Sequence, residues 1–152
     1  MRQQLSIDNI RAKKSLGQNF IVDIEFLVKL EKLITSTKEN TLIEIGPGKG
    51  ALTKYVSKKH YKNLFLIEKD NNLACQLKER YEKSKKIFVI NDDALSYDYS
   101  HFNSEKNLVL IFGNLPFNIS TNLLTKWISD NEWPSFFNKM VLMFQREVAD
   151  RI

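Results

Sequence analysis

A doubly wound α/β domain, with a mostly parallel sheet covered by helices on both sides, is the fold class this sequence predicts. Three observations lead there. Five short β-rich runs recur along the chain, helically spaced apolar stretches separate them, and the runs are apolar at consecutive positions rather than alternating. Continuous apolar runs belong to strands buried on both faces, which is the situation in a parallel sheet.

The elements follow in order. Residues 24–36 read as a helix with Ile24, Leu27, Val28 and Ile34 on its apolar side and Asp23 as N-cap. The five runs at 41–45, 63–68, 86–91, 107–112 and 139–144 read as strands. Leu73, Leu77 and Tyr81 at i, i+4, i+8 mark a second amphipathic helix, and Ile119, Leu123, Leu124, Trp127 and Ile128 mark a third. Asp70 is placed to cap the helix that begins near Asn71, and residues 145–152 read as the start of another helix. No repeat, low-complexity tract or Pro/Gly-rich linker divides the chain, so residues 1–152 are expected to form one domain.

Composition narrows the class. With 152 residues, 43% apolar and 27% charged, the chain can bury one core. Its single cysteine, Cys75, allows no internal disulfide and no cysteine metal site, which fits a reducing cytoplasm. The N-terminus lacks the apolar stretch of a signal peptide, and 108–112, the longest strongly apolar run, is too short for a bilayer; neither secretion nor membrane insertion is expected. The net charge of +5 is unevenly spread: residues 1–62 hold twelve Lys and Arg against six Asp and Glu, the remainder eleven against twelve. Such an excess suits an anionic partner such as RNA, although charge alone does not separate that from an ordinary solvated surface.

In a doubly wound sheet, ligands sit beyond the carboxyl ends of the strands. The first strand-to-helix junction is Glu44-Ile45-Gly46-Pro47-Gly48-Lys49-Gly50, in which Gly46 and Gly48 would let the backbone approach a ligand closely. Ala51 takes the place of the third glycine in the dinucleotide fingerprint, and no Gly-Lys-Ser/Thr follows to make a P-loop; a tight turn without ligand is the alternative. Glu68 ends the second strand 20 residues after Gly48 and is placed to accept hydrogen bonds from ribose hydroxyls. Asn91-Asp92-Asp93-Ala94 presents carboxylates at the third strand end, where one can accept from an adenine amine; no third ligand stands at metal-binding spacing, so no metal is expected. The fourth junction, Gly113 to Thr121, contains Asn114-Leu115-Pro116-Phe117. The Asn114 side chain and the Leu115 carbonyl could accept both hydrogens of a planar exocyclic amine, with Pro116 stiffening the turn and Phe117 stacking on the base. The alternative is an Asn-x-Pro turn into a helix capped by Ser120. His60 and His101 lie away from these junctions and read as surface residues.

With these residues in order, and with Lys13-Lys14-Ser15-Leu16-Gly17-Gln18-Asn19-Phe20 and the closing run from Phe144 to Arg151, the sequence resembles the KsgA/RsmA family of small-subunit rRNA adenine dimethyltransferases along essentially its whole length. The resemblance implies a Rossmann-like class I S-adenosylmethionine-dependent methyltransferase. It implies that Asn19 and Ile21 contact the cofactor, that Gly46 approaches its methionine portion with Gly48 in the same loop, and that Glu68 holds the ribose and Asp93 the adenine. Asn114 would face the target amine and border the cofactor. The implied substrate is two adjacent adenosines near the 3′ end of small-subunit rRNA within an immature subunit. The implied setting is ribosome biogenesis in the cytoplasm, with a monomeric full-length enzyme.

Many members carry Tyr where this chain has Phe117. The family also continues into further strands and a helical domain, so the catalytic domain is expected to be truncated at its C-terminus, leaving the fifth strand as an exposed edge prone to self-association. Three other readings stand beside this one: a large-subunit rRNA adenine methyltransferase of the antibiotic-resistance type, a noncatalytic RNA-binding assembly factor, and a nicotinamide dehydrogenase. The last leaves the Asn114 motif without a use.

Overall fold

The computed structural model describes residues 23–105, 108–115, 118–129 and 135–152. Asn19, Ile21, Pro116 and Phe117 lie outside the described residues. Helix α1 (Ile24–Leu33) starts as expected, with the Asp23 carboxylate accepting from the Phe26 N–H at 3.1 Å. It stops three residues short of Ser36 because Thr35, Ser36 and Thr37 have better local partners than the helix ladder offers. The Ser36 hydroxyl donates to the His60 carbonyl (2.7 Å), and the Thr37 N–H donates to the Asn40 side chain (2.7 Å).

The strands β1 (Thr41–Ile45), β2 (Asn63–Ile67), β3 (Ile87–Ile90), β4 (Val109–Asn114) and β5 (Lys139–Met143) form one sheet in the order β3-β2-β1-β4-β5. Every adjacent pair is parallel. Three strands end a residue or so inside the expected bounds. β4 instead runs on to Asn114, because β5 supplies rungs for Gly113 (opposite Leu142) and Asn114 (opposite Met143). A pairing partner thirty residues away leaves no trace in local periodicity.

Helices α2 (Thr53–Val56) and α3 (Asn71–Tyr81) lie with α1 against one face of the sheet, and α4 (Ser120–Ile128) lies against the other. On the first face Leu42, Leu64, Leu66, Leu110 and Phe112 meet Leu27, Leu30 and Ile34 of the α1 segment and Val56 of α2. On the second, Ile43, Ile45, Ile67, Val109 and Ile111 meet Leu123 and Trp127 of α4 and the aromatic side chains of Tyr99, Phe102, Phe136 and Phe137. Consecutive strand residues thus enter opposite cores, which is why the runs are apolar throughout. Asp70 caps α3, accepting from the Asn72 (2.9 Å) and Leu73 (3.3 Å) N–H groups. Ser120 does not cap α4: it is the buried first residue of the helix, and the N-cap is Ile119, whose apolar side chain makes no capping hydrogen bond. A short α5 (Arg146–Ala149) follows β5. Among the described residues no helix is long and apolar enough to cross a membrane.

Candidate active site

The chain runs from β1 outward through β2 to β3 and then returns to the far side of β1 to lay down β4. The connections therefore leave β1 and β4 in opposite directions, opening a crevice at their carboxyl ends. The glycine loop leaves β1 and Asn114 ends β4, so these two junctions flank the crevice, with Glu68 and Asp93 further along the same edge.

The glycine loop is held from several directions. Gly46, Gly48 and Gly50 all have positive φ. The Gly48 N–H donates to Glu68 Oε2 (2.9 Å), which requires the left-handed backbone (φ 58°) that a side chain at this residue would disfavour. The Gly46 N–H extends the β1–β2 ladder to the Ile67 carbonyl (2.9 Å), and Arg80 on α3 donates to the Lys49 carbonyl (2.9 Å). Gly113 answers a different demand. A Cβ there would stand 2.4 Å from the Ile45 carbonyl oxygen, so only glycine lets β4 close on β1 where the loop begins.

Glu68 is buried and serves two backbone amides, accepting from Gly48 at Oε2 and from the Asp70 N–H at Oε1 (2.8 Å). Burial raises its carboxyl above the ordinary range against the opposing effect of those donors. The Lys69 N–H also approaches this carboxylate, and of its about four acceptor sites the remainder is left for a ligand. Asn91 ties the next junction to this one, donating to the carbonyl oxygens of Glu68 (2.9 Å) and Lys69 (3.3 Å). Asp93 is half-exposed. Its Oδ1 accepts from the Leu95 N–H (3.0 Å) and its Oδ2 from the Lys69 ammonium (2.7 Å), and that ammonium is the main reason its carboxyl titrates below the usual value. With one donor on each oxygen, the Asp93 carboxylate keeps acceptor capacity for a ligand amine beside Leu95 and Lys69.

Asn114 is half-buried at the last rung of β4, and Leu115 directly after it is buried. The structure thus brings Gly46, Gly48, Glu68, Asp93, Asn114 and Leu115 to one edge of the sheet. His60 and His101 are exposed, as expected, and His101 is engaged with the Tyr97 hydroxyl (3.1 Å). Among the described residues no group of three His, Cys, Asp or Glu side chains is arranged to hold a metal ion.

Glu44 carries a part that the sequence reading did not assign. It lies inside β1 with its side chain 2% exposed, accepts from the Thr53 hydroxyl (2.7 Å), and is pushed up to about 8 by burial, with the nearby Glu68 adding to the rise. The signal was visible: a lone acid among Leu42, Ile43 and Ile45 in a buried strand is costly unless it has a partner. Through Thr53 it fastens the start of α2 to β1, bracketing the glycine loop between them.

Residues 9–152 match the model of the family described as ribosomal RNA adenine dimethylase. The ribosomal RNA small subunit methyltransferase A of Pelagibacter ubique is 49% identical over 143 residues, covering 94% of this chain and 53% of that protein. Its counterpart in Ruegeria pomeroyi is 37% identical, covering 100% and 54%. The chain spans about half the length of the curated relatives it matches. Among solved structures, a dimethyladenosine transferase from Plasmodium falciparum superposes with a TM-score of 0.71 at 28% identity, over 88% of this chain and 46% of that one. The 23S rRNA methyltransferase ErmE, at 22% identity and a TM-score of 0.67 over 86% and 50%, shares the fold. The α/β topology, the loop pinned by Glu68 and the match over residues 9–152 lead to one conclusion: the chain belongs to the ribosomal RNA adenine dimethylase family.

Proposed function

We propose that residues 1–152 are the catalytic portion of a cytoplasmic S-adenosylmethionine-dependent methyltransferase that dimethylates the exocyclic amines of two adjacent adenosines near the 3′ end of small-subunit rRNA, in an immature subunit. The observation that carries this reading is the placing of Asn114 across the crevice from the glycine loop, at the switch point of the sheet.

The residues fit the cofactor. Glu68 keeps acceptor capacity toward which ribose hydroxyls can donate, Asp93 offers a carboxylate to the adenine amine, and the side-chain-free Gly46 and Gly48 leave room for the methionine portion. Asn19 and Ile21 are read as further cofactor contacts. S-adenosylmethionine supplies an electrophilic methyl group on sulfur. The amine of adenine is a weak nucleophile because its lone pair is delocalised into the ring. Acceptors at the Asn114 side chain and the Leu115 carbonyl hold its two hydrogens and turn the lone pair toward the methyl, Pro116 stiffens the turn, and Phe117 stacks on the base. The target adenosine must be unpaired or flipped out for its amine to enter.

Methyl transfer from labelled S-adenosylmethionine to ribosomal subunits lacking the modification tests this. Label in small-subunit rRNA supports it. Label in large-subunit rRNA would point instead to the antibiotic-resistance type, and RNA binding without transfer to a noncatalytic assembly factor.

A further inference from the structure

Part of the basic excess that the sequence shows lies away from the candidate active site. The connections entering β1, β2 and β3 (residues 34–40, 57–62 and 82–86) hold seven lysines against two acids, Glu39 and Glu82. Because all the strands are parallel, these connections gather at the amino-end edge of the sheet, opposite the glycine loop, Glu68 and Asp93. At the carboxyl-end edge Glu68, Asp70, Asp92 and Asp93 stand with Lys49, Lys69 and the Arg80 guanidinium, which donates to the Lys49 carbonyl. A five-residue strand spans about 17 Å, roughly two Debye lengths at physiological salt, so each edge presents its own field.

The lysines stand on short, tied-down turns. The buried Tyr61 anchors the second connection, its hydroxyl donating to the Ser57 carbonyl (3.1 Å), and the Lys62 N–H donates to the Asn40 carbonyl (2.7 Å). The Leu64 N–H binds the Lys86 carbonyl (2.8 Å), joining the third connection to β2. Lys59 is paired with Glu31, while Lys58, Lys83 and Lys85 extend into solvent.

We propose that this amino-end edge is a second RNA-binding surface, one that holds the sugar-phosphate backbone of an rRNA segment other than the one bearing the target adenosines. The proposal rests on the rRNA substrate reading above. Lysines on fixed turns bind phosphates as point charges and read no bases, so the surface adds affinity and orientation without sequence preference. It also supplies long-range attraction that favours encounter with RNA.

The test compares two triple variants of equal net charge: Lys58→Ala/Lys83→Ala/Lys85→Ala at this edge, and Lys29→Ala/Arg146→Ala/Arg151→Ala away from it, in the middle of α1 and after β5. Affinity for small-subunit rRNA is measured between about 50 and 200 mM salt, alongside methylation of a short hairpin bearing the target adenosines. The edge variant is expected to lower the slope of log affinity against log salt by about 2 to 3, following the counterion release of roughly 0.7 to 0.9 per phosphate. It should leave S-adenosylmethionine affinity and hairpin methylation unchanged, and the corresponding Lys→Arg triple should restore the slope. A slope change no larger than that of the Lys29/Arg146/Arg151 variant would overturn the proposal, because only bulk charge would then be acting. Failure of the unchanged chain to methylate small subunits lacking the modification would instead count against the substrate reading itself.

Discussion

At neutral pH the Glu44 carboxyl is mostly protonated, because burial lifts it from 4.5 to about 8. The folded state therefore binds a proton that the unfolded chain has released, and stability falls as pH rises between those values, by up to about 1.4 kcal/mol per pH unit. Glu68 is shifted in the same direction and adds to the slope. Glu44→Gln keeps an acceptor for Thr53 and has no proton to lose, so denaturant unfolding from pH 5 to 8 should show a flatter profile and higher stability at the alkaline end; an unchanged slope would mean that Glu44 is not the titrating group. Glu68→Ala is predicted to weaken S-adenosylmethionine binding by about 1.5 to 3 kcal/mol in calorimetry, from loss of charged hydrogen bonds. Since the same carboxylate pins Gly48, Glu68→Gln should recover part of the loop contact but less of the ribose affinity. Asn114→Ala acts elsewhere: turnover should fall about 10² to 10³-fold with cofactor affinity nearly unchanged, as for removal of one transition-state partner.

The elements carry their own prediction at Gly113, where β4 closes on β1. Gly113→Ala puts a methyl 2.4 Å from the Ile45 carbonyl oxygen, and backbone there cannot yield without parting the two strands beside the glycine loop. A stability loss of about 1 to 3 kcal/mol is expected, together with weaker cofactor binding; a thermal midpoint and a binding constant equal to those of the unchanged chain would refute it. This contact also marks the limit of what the sequence reveals. The five strands, the α3 cap at Asp70 and the alternation of layers are local signals written in consecutive residues. Gly113 reads as loop because its ladder partner, Leu142, comes from a strand far along the chain. Helix α1 ends earlier than its apolar spacing indicates for a related reason, since the Ser36 hydroxyl is drawn away by the His60 carbonyl across the fold. Within the site, Glu68 and Asp93 were legible from their distance after the glycine loop and their place at strand ends. The Lys69 ammonium on Asp93 and the Thr53 hydroxyl on Glu44 were not, because they depend on side chains meeting in three dimensions.

Among the described residues the two ends of the strands differ: the strand-to-helix junctions meet at the carboxyl end, and the connections entering β1, β2 and β3 are lysine-rich at the other. The family match and the ordered junctions support the adenine dimethylation proposed above, in which Asn114 at the end of β4 is the proposed acceptor for the target amine. The measurement that bears most directly on it is nucleoside mass analysis, with position mapping, of small-subunit rRNA incubated with the chain or its Asn114→Ala variant and S-adenosylmethionine. Dimethyladenosine at two adjacent residues near the 3′ end, formed by the chain and nearly absent with the variant, is the predicted result. Methylation at a carbon or sugar position, or equal yields of dimethyladenosine from both proteins, would contradict the account.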